Sequence, residues 1–98
     1  MSFLPISEIL KGVEGRALIR GWLHNKRSSG GILFWIVRDG TEFIQCTIER
    51  NKFGEEFEKF EKLPVESAIE IEGIAKKESR APGGYEISCE KIKILSEA

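Results

Sequence analysis

Side chains of the kinds that recognise single-stranded nucleic acid are concentrated in residues 21–45, GWLHNKRSSGGILFWIVRDGTEFIQ. Basic groups follow phosphates, aromatic rings stack on bases, and a primary amide sets a donor beside an acceptor for a base edge. From Gly15 to Arg38 the chain carries no acid, while Arg16, Arg20, Lys26, Arg27 and Arg38 are basic. Phe34, Phe43 and Gln45 add two aromatic platforms and one amide. Strand alternation sends Gln45 and Phe43 to one side of their strand, and Phe34 can share that surface from the neighbouring strand. The competing reading buries Phe34 and Phe43 in the core and leaves Gln45 as a solvated strand residue.

Other chemistries find little support. His24 is the single histidine, and the two cysteines, Cys46 and Cys89, each sit in an apolar strand pattern. They read as small buried hydrophobes rather than as metal ligands, which would need neighbouring His or Cys partners. No P-loop pattern is present, and Gly30-Gly31 and Gly83-Gly84 read as turns rather than phosphate cradles. Asp39 precedes Gly40 between two apolar runs and reads as a hairpin turn residue, not a general base. No catalytic set, cofactor site or metal site is expected.

A chain of 98 residues is one domain with one core. Its formal net charge of -1 argues against a nucleic-acid binder taken as a whole, but the charge is unevenly placed. Between Glu55 and Glu72 seven glutamates face Lys59 and Lys62, so a basic and an acidic side are expected. The apolar runs fall well short of the ~20 residues that a membrane-spanning helix needs. Met-Ser-Phe-Leu-Pro at the start lacks the basic and apolar regions of a signal peptide, so a cytoplasmic protein is expected.

The elements that must position the site follow from period and turn chemistry. Ser7-Glu8-Ile9-Leu10 reads as a short helical turn capped by Ser7. Residues 16–24 form a first strand, with Ala17, Ile19, Gly21 and Leu23 on one face. Gly21 inside that strand predicts a bend or a close backbone approach. Ser28-Ser29-Gly30-Gly31 reverses the chain into a second strand, 32–38, apolar on both faces. Asp39-Gly40 leads to a third strand, 43–48, with Ile44, Cys46 and Ile48 on one side and Phe43, Gln45 and Thr47 on the other. Residues 51–63 change to a helical period, with Phe53, Phe57 and Phe60 as an aromatic stripe that plugs a barrel mouth. Pro64 ends the helix. A fourth strand, 67–76, is expected to change parity at Gly73, and a fifth, 85–95, between Cys89 and Ile92. Five strands with one helix between the third and fourth predict an all-β OB-fold, a five-stranded Greek-key barrel whose second and third strands commonly face oligonucleotides.

The stretch resembles the N-terminal anticodon-binding domain of class IIb aminoacyl-tRNA synthetases, the aspartyl, asparaginyl and lysyl group. Gly21-Trp22, Arg27, Phe34, Arg38-Asp39 and Gln45 stand at that family's spacing, and Arg80-Ala81-Pro82-Gly83-Gly84-Tyr85-Glu86 is similar to its loop before the last strand. The resemblance implies that Phe34 stacks on the central anticodon base, a uridine, that Gln45 reads its edge, and that Arg27 contacts anticodon bases or backbone. It also implies that Phe34 faces outward, with Leu33, Trp35 and Val37 inward. The reversal Lys26-Arg27-Ser28-Ser29-Gly30-Gly31 is more similar to asparaginyl than to aspartyl enzymes, and lysyl enzymes match less well. The chain departs from the pattern at Asp39-Gly40-Thr41-Glu42, which lacks the family's glycine before the third strand, and at Ile36, apolar on the proposed face.

On this resemblance the partner is a tRNA anticodon loop, with Arg20, Lys26, Arg27, Phe34, Phe43 and Gln45 as binding residues. The class II motifs for ATP and amino acid are missing from residues 1–98, so a catalytic domain is expected to be absent from this chain, which then does not aminoacylate by itself. ATP and Mg are expected only for the catalytic domain of a parent ligase, homodimeric through its other domains, and the isolated domain is expected to be monomeric. Two alternatives remain at this stage. One is a free-standing single-strand binder with little sequence preference, and the other is a protein-interaction module using the row Ile32, Phe34 and Ile36.

Overall fold

One long strand organises the architecture. In a computed structural model that describes residues 2–98, β1 (Gly15–Ser29) runs through fifteen residues and serves two neighbours in turn. Its first half pairs antiparallel with β4 (Ala68–Lys77), from Gly15 against Ala75 to Trp22 against Ala68. Its second half pairs antiparallel with β2 (Ile32–Arg38), from Trp22 against Arg38 to Ser29 against Ile32. A strand that serves two partners must curl. Gly21 sits at the changeover, where a Cβ would run into the Arg38 carbonyl, so the expected close backbone approach is present. Two residues on, the β1–β2 register slips between Leu23 and Asn25, leaving His24 as the extra residue of a bulge.

The remaining strands close the cylinder. β2 pairs antiparallel with β3 (Phe43–Glu49), β3 pairs parallel with β5 (Tyr85–Ser96) over three residue pairs, and β5 pairs antiparallel with β4. The order β1-β2-β3-β5-β4 with β4 returning to β1 is a closed five-stranded barrel, the OB topology predicted from the element order. Inward alternation gives the core. Ala17, Ile19 and Leu23 of β1, Leu33, Trp35 and Val37 of β2, Ile44, Cys46 and Ile48 of β3, and Ile69 and Ile71 of β4 are all buried. Cys46 and Cys89 are free thiols within this core. Burial, followed by the nearby Cys89 and Glu86, pushes the Cys46 thiol well above its ordinary pKa.

Three expectations need correction. The helix between β3 and β4 is present but split, into α2 (Arg50–Phe53) and α3 (Glu56–Glu61). Gly54, at φ 58° and ψ -127°, turns the chain between them. The break lets Phe57 and Phe60 enter the core while Phe53 packs against Phe60 from its edge, 5.4 Å between ring centroids. Phe60 in turn meets Trp35 edge-on at 5.9 Å, so the aromatic plug is retained.

The N-terminal turn, α1 (Ile6–Ile9), is not capped by Ser7. Its first two amides donate instead to the β2–β3 turn, Ile6 N to Asp39 Oδ2 at 2.8 Å and Ser7 N to Thr41 Oγ1 at 3.1 Å. This long-range cap lets Ile6 and Ile9 insert fully into the core.

β4 does not change parity at Gly73. Ile69, Ile71, Gly73 and Ala75 all point inward, and the irregularity lies on β5, where Glu90 is extra between Cys89 and Lys91. Gly73 is required because a Cβ there would overlap the Ser88 carbonyl of the bulged strand. The expected shift in β5 between Cys89 and Ile92 is therefore the bulge itself.

Candidate nucleic-acid interface

With Leu33, Trp35 and Val37 buried, strand alternation turns Phe34 and Ile36 outward, as the family resemblance implied. Across the sheet, Phe34 stands between Arg27 on β1 and Thr47 on β3, and Ile36 stands beside Gln45. Arg27, Phe34 and Gln45 thus share one outward surface and line one cleft of about 370 Å³ with Thr47, Lys76 and Arg80.

Phe34 is a half-buried ring with its neighbour already placed. The Arg27 guanidinium lies 4.2 Å from the Phe34 ring centroid, a cation–π arrangement. Among the described residues no carboxylate lies within ion-pair distance of Arg27. The group can therefore accept a phosphate without first surrendering a partner.

Gln45 owes its orientation to β5. The parallel pairing sets Glu86 beside it, and Gln45 Nε2 donates to Glu86 Oε1 at 2.9 Å. Glu86 is only 7% exposed, and its other oxygen lies 3.7 Å from Lys76 Nζ. An ionised carboxylate only accepts, so the Gln45 NH₂ must face it. The amide carbonyl and one N–H have no other side-chain partner among the described residues, and Gln45 lines the cleft. Glu78 and Arg80 form the rim on the β4–β5 loop, with Arg80 Nε 3.5 Å from Glu78 Oε2. Hydrogen bonding by the Arg80 amide holds the Glu78 carboxyl below its usual pKa, against a smaller opposing effect of desolvation.

Three of the residues that sequence reasoning groups with the site lie apart from this cleft. Phe43 is on the same outward surface but two residues along β3 from Gln45, with its ring edge-on to His24 at 4.8 Å. Arg20 lies on the β1–β4 side, paired with Glu70 at 3.2 Å and stacked over Phe3 at 3.9 Å. Lys26 borders a small hollow beside Arg27, Phe34 and Gln45, but its ammonium points to the helix. Beyond the His24 bulge its position is level with the buried Trp35, and its ammonium donates to the carbonyls of Glu61 at 2.9 Å and Leu63 at 2.7 Å. Those are orphan acceptors at the end of α3, so Lys26 ties helix to barrel.

Glu86, Lys76 and His24 were not singled out as site residues from the sequence. Glu86 had one signal, its place at the end of the family-like loop, but its contact with Gln45 depends on the parallel β3–β5 register. Among the described residues there is no cluster of His, Cys, Asp and Glu suited to a metal ion. Among the described residues no helix is long and apolar enough to cross a membrane.

A closed five-stranded barrel whose outward surface joins an aromatic platform, an oriented amide and an unpaired guanidinium defines an OB-type nucleic-acid-binding module. The chain belongs to the tRNA anti-codon family of OB-fold nucleic-acid-binding domains, whose model matches residues 17–95. It is 43% identical over 91 residues to the asparagine–tRNA ligase of Desulforamulus reducens, covering 93% of this chain and 21% of that protein. It is 42% identical over 81 residues to the aspartate–tRNA(Asp/Asn) ligase of Methanopyrus kandleri, covering 82% of this chain and 19% of the relative. Among solved structures, the asparaginyl-tRNA synthetase of Pyrococcus horikoshii complexed with asparaginyl-adenylate superposes with a TM-score of 0.93 at 33% identity, over 100% of this chain and 23% of that one. The chain therefore spans about a fifth of the length of the curated relatives it matches.

Proposed function

We propose that this chain is the anticodon-binding part of an asparagine–tRNA ligase, and that it recognises the central anticodon base, a uridine. The observation that carries the reading is the placement of Phe34, Gln45 and Glu86 on one cleft. Phe34 supplies the ring on which the base stacks. Gln45, held by Glu86, offers its carbonyl to the uracil N3–H and its free N–H to an adjacent uracil carbonyl. Arg27 takes the neighbouring phosphate or base, leaving or sharing the Phe34 face that it now covers. Phe43 extends the aromatic surface. Arg20 and Lys26 act outside the cleft, Lys26 through the helix it anchors. Ligation itself, with ATP and Mg, falls to a catalytic domain of the parent protein, for which a homodimer in the cytoplasm is the corresponding proposal.

An aspartate–tRNA ligase is the second reading, supported by the likeness to the Methanopyrus kandleri protein. Both readings share the central uridine and differ in the last anticodon base. The test is an NMR titration with anticodon stem-loops bearing GUU, GUC and a scrambled loop, at stated low salt because phosphate contacts are salt-dependent. Amide shifts on β1, β2 and β3 with GUU ahead of GUC, and both ahead of the scramble, are expected. GUC ahead of GUU would favour the aspartyl reading, and equal shifts for all three would replace both with a general single-strand binder.

A further inference from the structure

Beyond the base-reading cleft, the same outward surface carries a second row of recognition groups. Trp22 of β1 pairs with Arg38 of β2, and Arg38 pairs with Phe43 of β3, so the three stand side by side. Trp22 is 43% exposed and Phe43 is 42% exposed, unusual for large aromatic residues on a closed barrel. The Arg38 guanidinium lies 5.3 Å from the Trp22 ring centroid, and His24, pushed out by the bulge, braces Phe43. A hollow of about 150 Å³ opens between Arg38 and Phe43 at the β2–β3 turn.

This row is continuous with the cleft. Arg38 is four residues along β2 from Phe34, about 13 Å at strand rise, and Gln45 lies on β3 between Phe43 and Thr47. From the row and its continuity we infer that Trp22, Arg38 and Phe43 form a second subsite, which stacks and pairs with a nucleotide of the same RNA strand lying outside the triplet centred on the base read at Phe34 and Gln45. The inference rests on the nucleic-acid reading of the cleft and adds to it a further length of bound strand.

The chemistry matches an RNA single strand. Two exposed rings flanking a guanidinium repeat the aromatic-and-basic composition of single-strand channels. Carboxylates are also present. Glu66 pairs with Arg38, and Glu42 rims the hollow. The Arg38–Glu66 pair is half-buried at Arg38 and exposed at Glu66, and partly solvated pairs of this kind hold modest net energy against a competing phosphate.

The two tryptophans make the test direct, because Trp35 is fully buried and Trp22 is not. The 98-residue chain is titrated with the trinucleotide GUU and with a nine-nucleotide single-stranded RNA carrying GUU at its centre. Tryptophan emission and amide shifts are followed together. The expected result is quenching of Trp22 emission by the longer RNA and not by the trinucleotide. Trp22→Ala and Phe43→Ala should each weaken the longer RNA by roughly fivefold or more, the lower end of the loss for one stacked base, with the trinucleotide affinity unchanged. If the longer RNA binds through Phe34 with Trp22 emission unmoved, the second subsite is overturned and the base-reading cleft stands. If neither RNA binds, or Phe34→Ala has no effect on either, both readings fall. The emission readout uses the unmodified chain, so a variant that fails to fold does not decide the matter.

Discussion

Gln45 Nε2 sits 2.9 Å from Glu86 Oε1, across the parallel β3–β5 pair that closes the barrel. The contact makes the Gln45 amide directional, since the carboxylate dictates which end of the amide faces the open cleft. Glu86→Ala should free Gln45 to rotate. Measured with stem-loops differing only in the central base, the preference for GUU over GCU should contract by roughly tenfold, the loss of about 1.4 kcal/mol of discrimination. An unchanged ratio would remove Glu86 from base reading.

The proposed reading gives stacking to Phe34 and charge to Arg27. Phe34→Ala should weaken anticodon-loop binding by about 1–3 kcal/mol, the usual loss for one stacked base. Arg27→Ala should instead reduce the slope of log K against log salt by about one, the signature of a single lost phosphate contact. Isothermal titrations at several salt concentrations separate the two. A slope unaltered by Arg27→Ala would place that guanidinium on a base or on Phe34 alone.

Lys26 provides a contrast, because its ammonium serves two carbonyls at the end of α3. Lys26→Met keeps the apolar stem and removes both hydrogen bonds. Charge-assisted bonds of this kind are worth about 1.5–3 kcal/mol, so urea unfolding should show a loss of that order. RNA affinity of the folded variant should stay within about twofold, a change of roughly 0.4 kcal/mol. A large affinity loss at unchanged stability would instead make Lys26 a direct RNA ligand.

Gly21 and Gly73 both face backbone carbonyls at the barrel's tightest approaches, Arg38 and Ser88 respectively. Arg38 and Ser88 both lie within paired strands, in register with Trp22 and Ile74 respectively. Gly21→Ala and Gly73→Ala should each cost about 1–3 kcal/mol or more through overpacking, lowering the melting temperature by roughly 4–8 °C per kcal/mol for a domain of this size. Melting curves that match the parent chain would show that the barrel relaxes around a methyl group at these positions.

Asp39 links the β2–β3 turn to α1 and should make stability pH-dependent. Partial burial opposes its charge, but hydrogen bonds from the Thr41 hydroxyl and from the Ile6, Thr41 and Glu42 amides outweigh that effect and hold its pKa below the ordinary 3.8. A lowered folded-state pKa means stability that is fully present above the unfolded value and is lost as pH falls through the folded one. Denaturant unfolding should therefore show an Asp39-dependent decline below about pH 4, absent in Asp39→Ala. That variant should lose about 0.5–2 kcal/mol at neutral pH, as for a lost helix cap. An identical acid profile in both proteins would assign the decline to other carboxylates.

The sequence alone determined the strand count, the inward sets on β1 and β3, the turns at Gly30-Gly31 and Asp39-Gly40, and the aromatic plug. Each depends on local period or turn chemistry, which is written in consecutive residues. The outward placement of Phe34 needed more, because β2 is apolar on both faces and its period is silent. The family resemblance supplied that orientation, and the buried Trp35 bears it out. Tertiary structure decided the rest. Lys26 turned its ammonium to the end of α3 because one extra residue at His24 shifted the strand's register. Gly73 did not mark a change of parity in its own strand, since the bulge it accommodates belongs to β5. Asp39 replaced Ser7 as the partner of α1, and Glu86 oriented Gln45, across separations of 33 and 41 residues. Such contacts form only when the barrel closes and brings distant strands into register, and no local pattern encodes which carboxylate will then stand beside which amide.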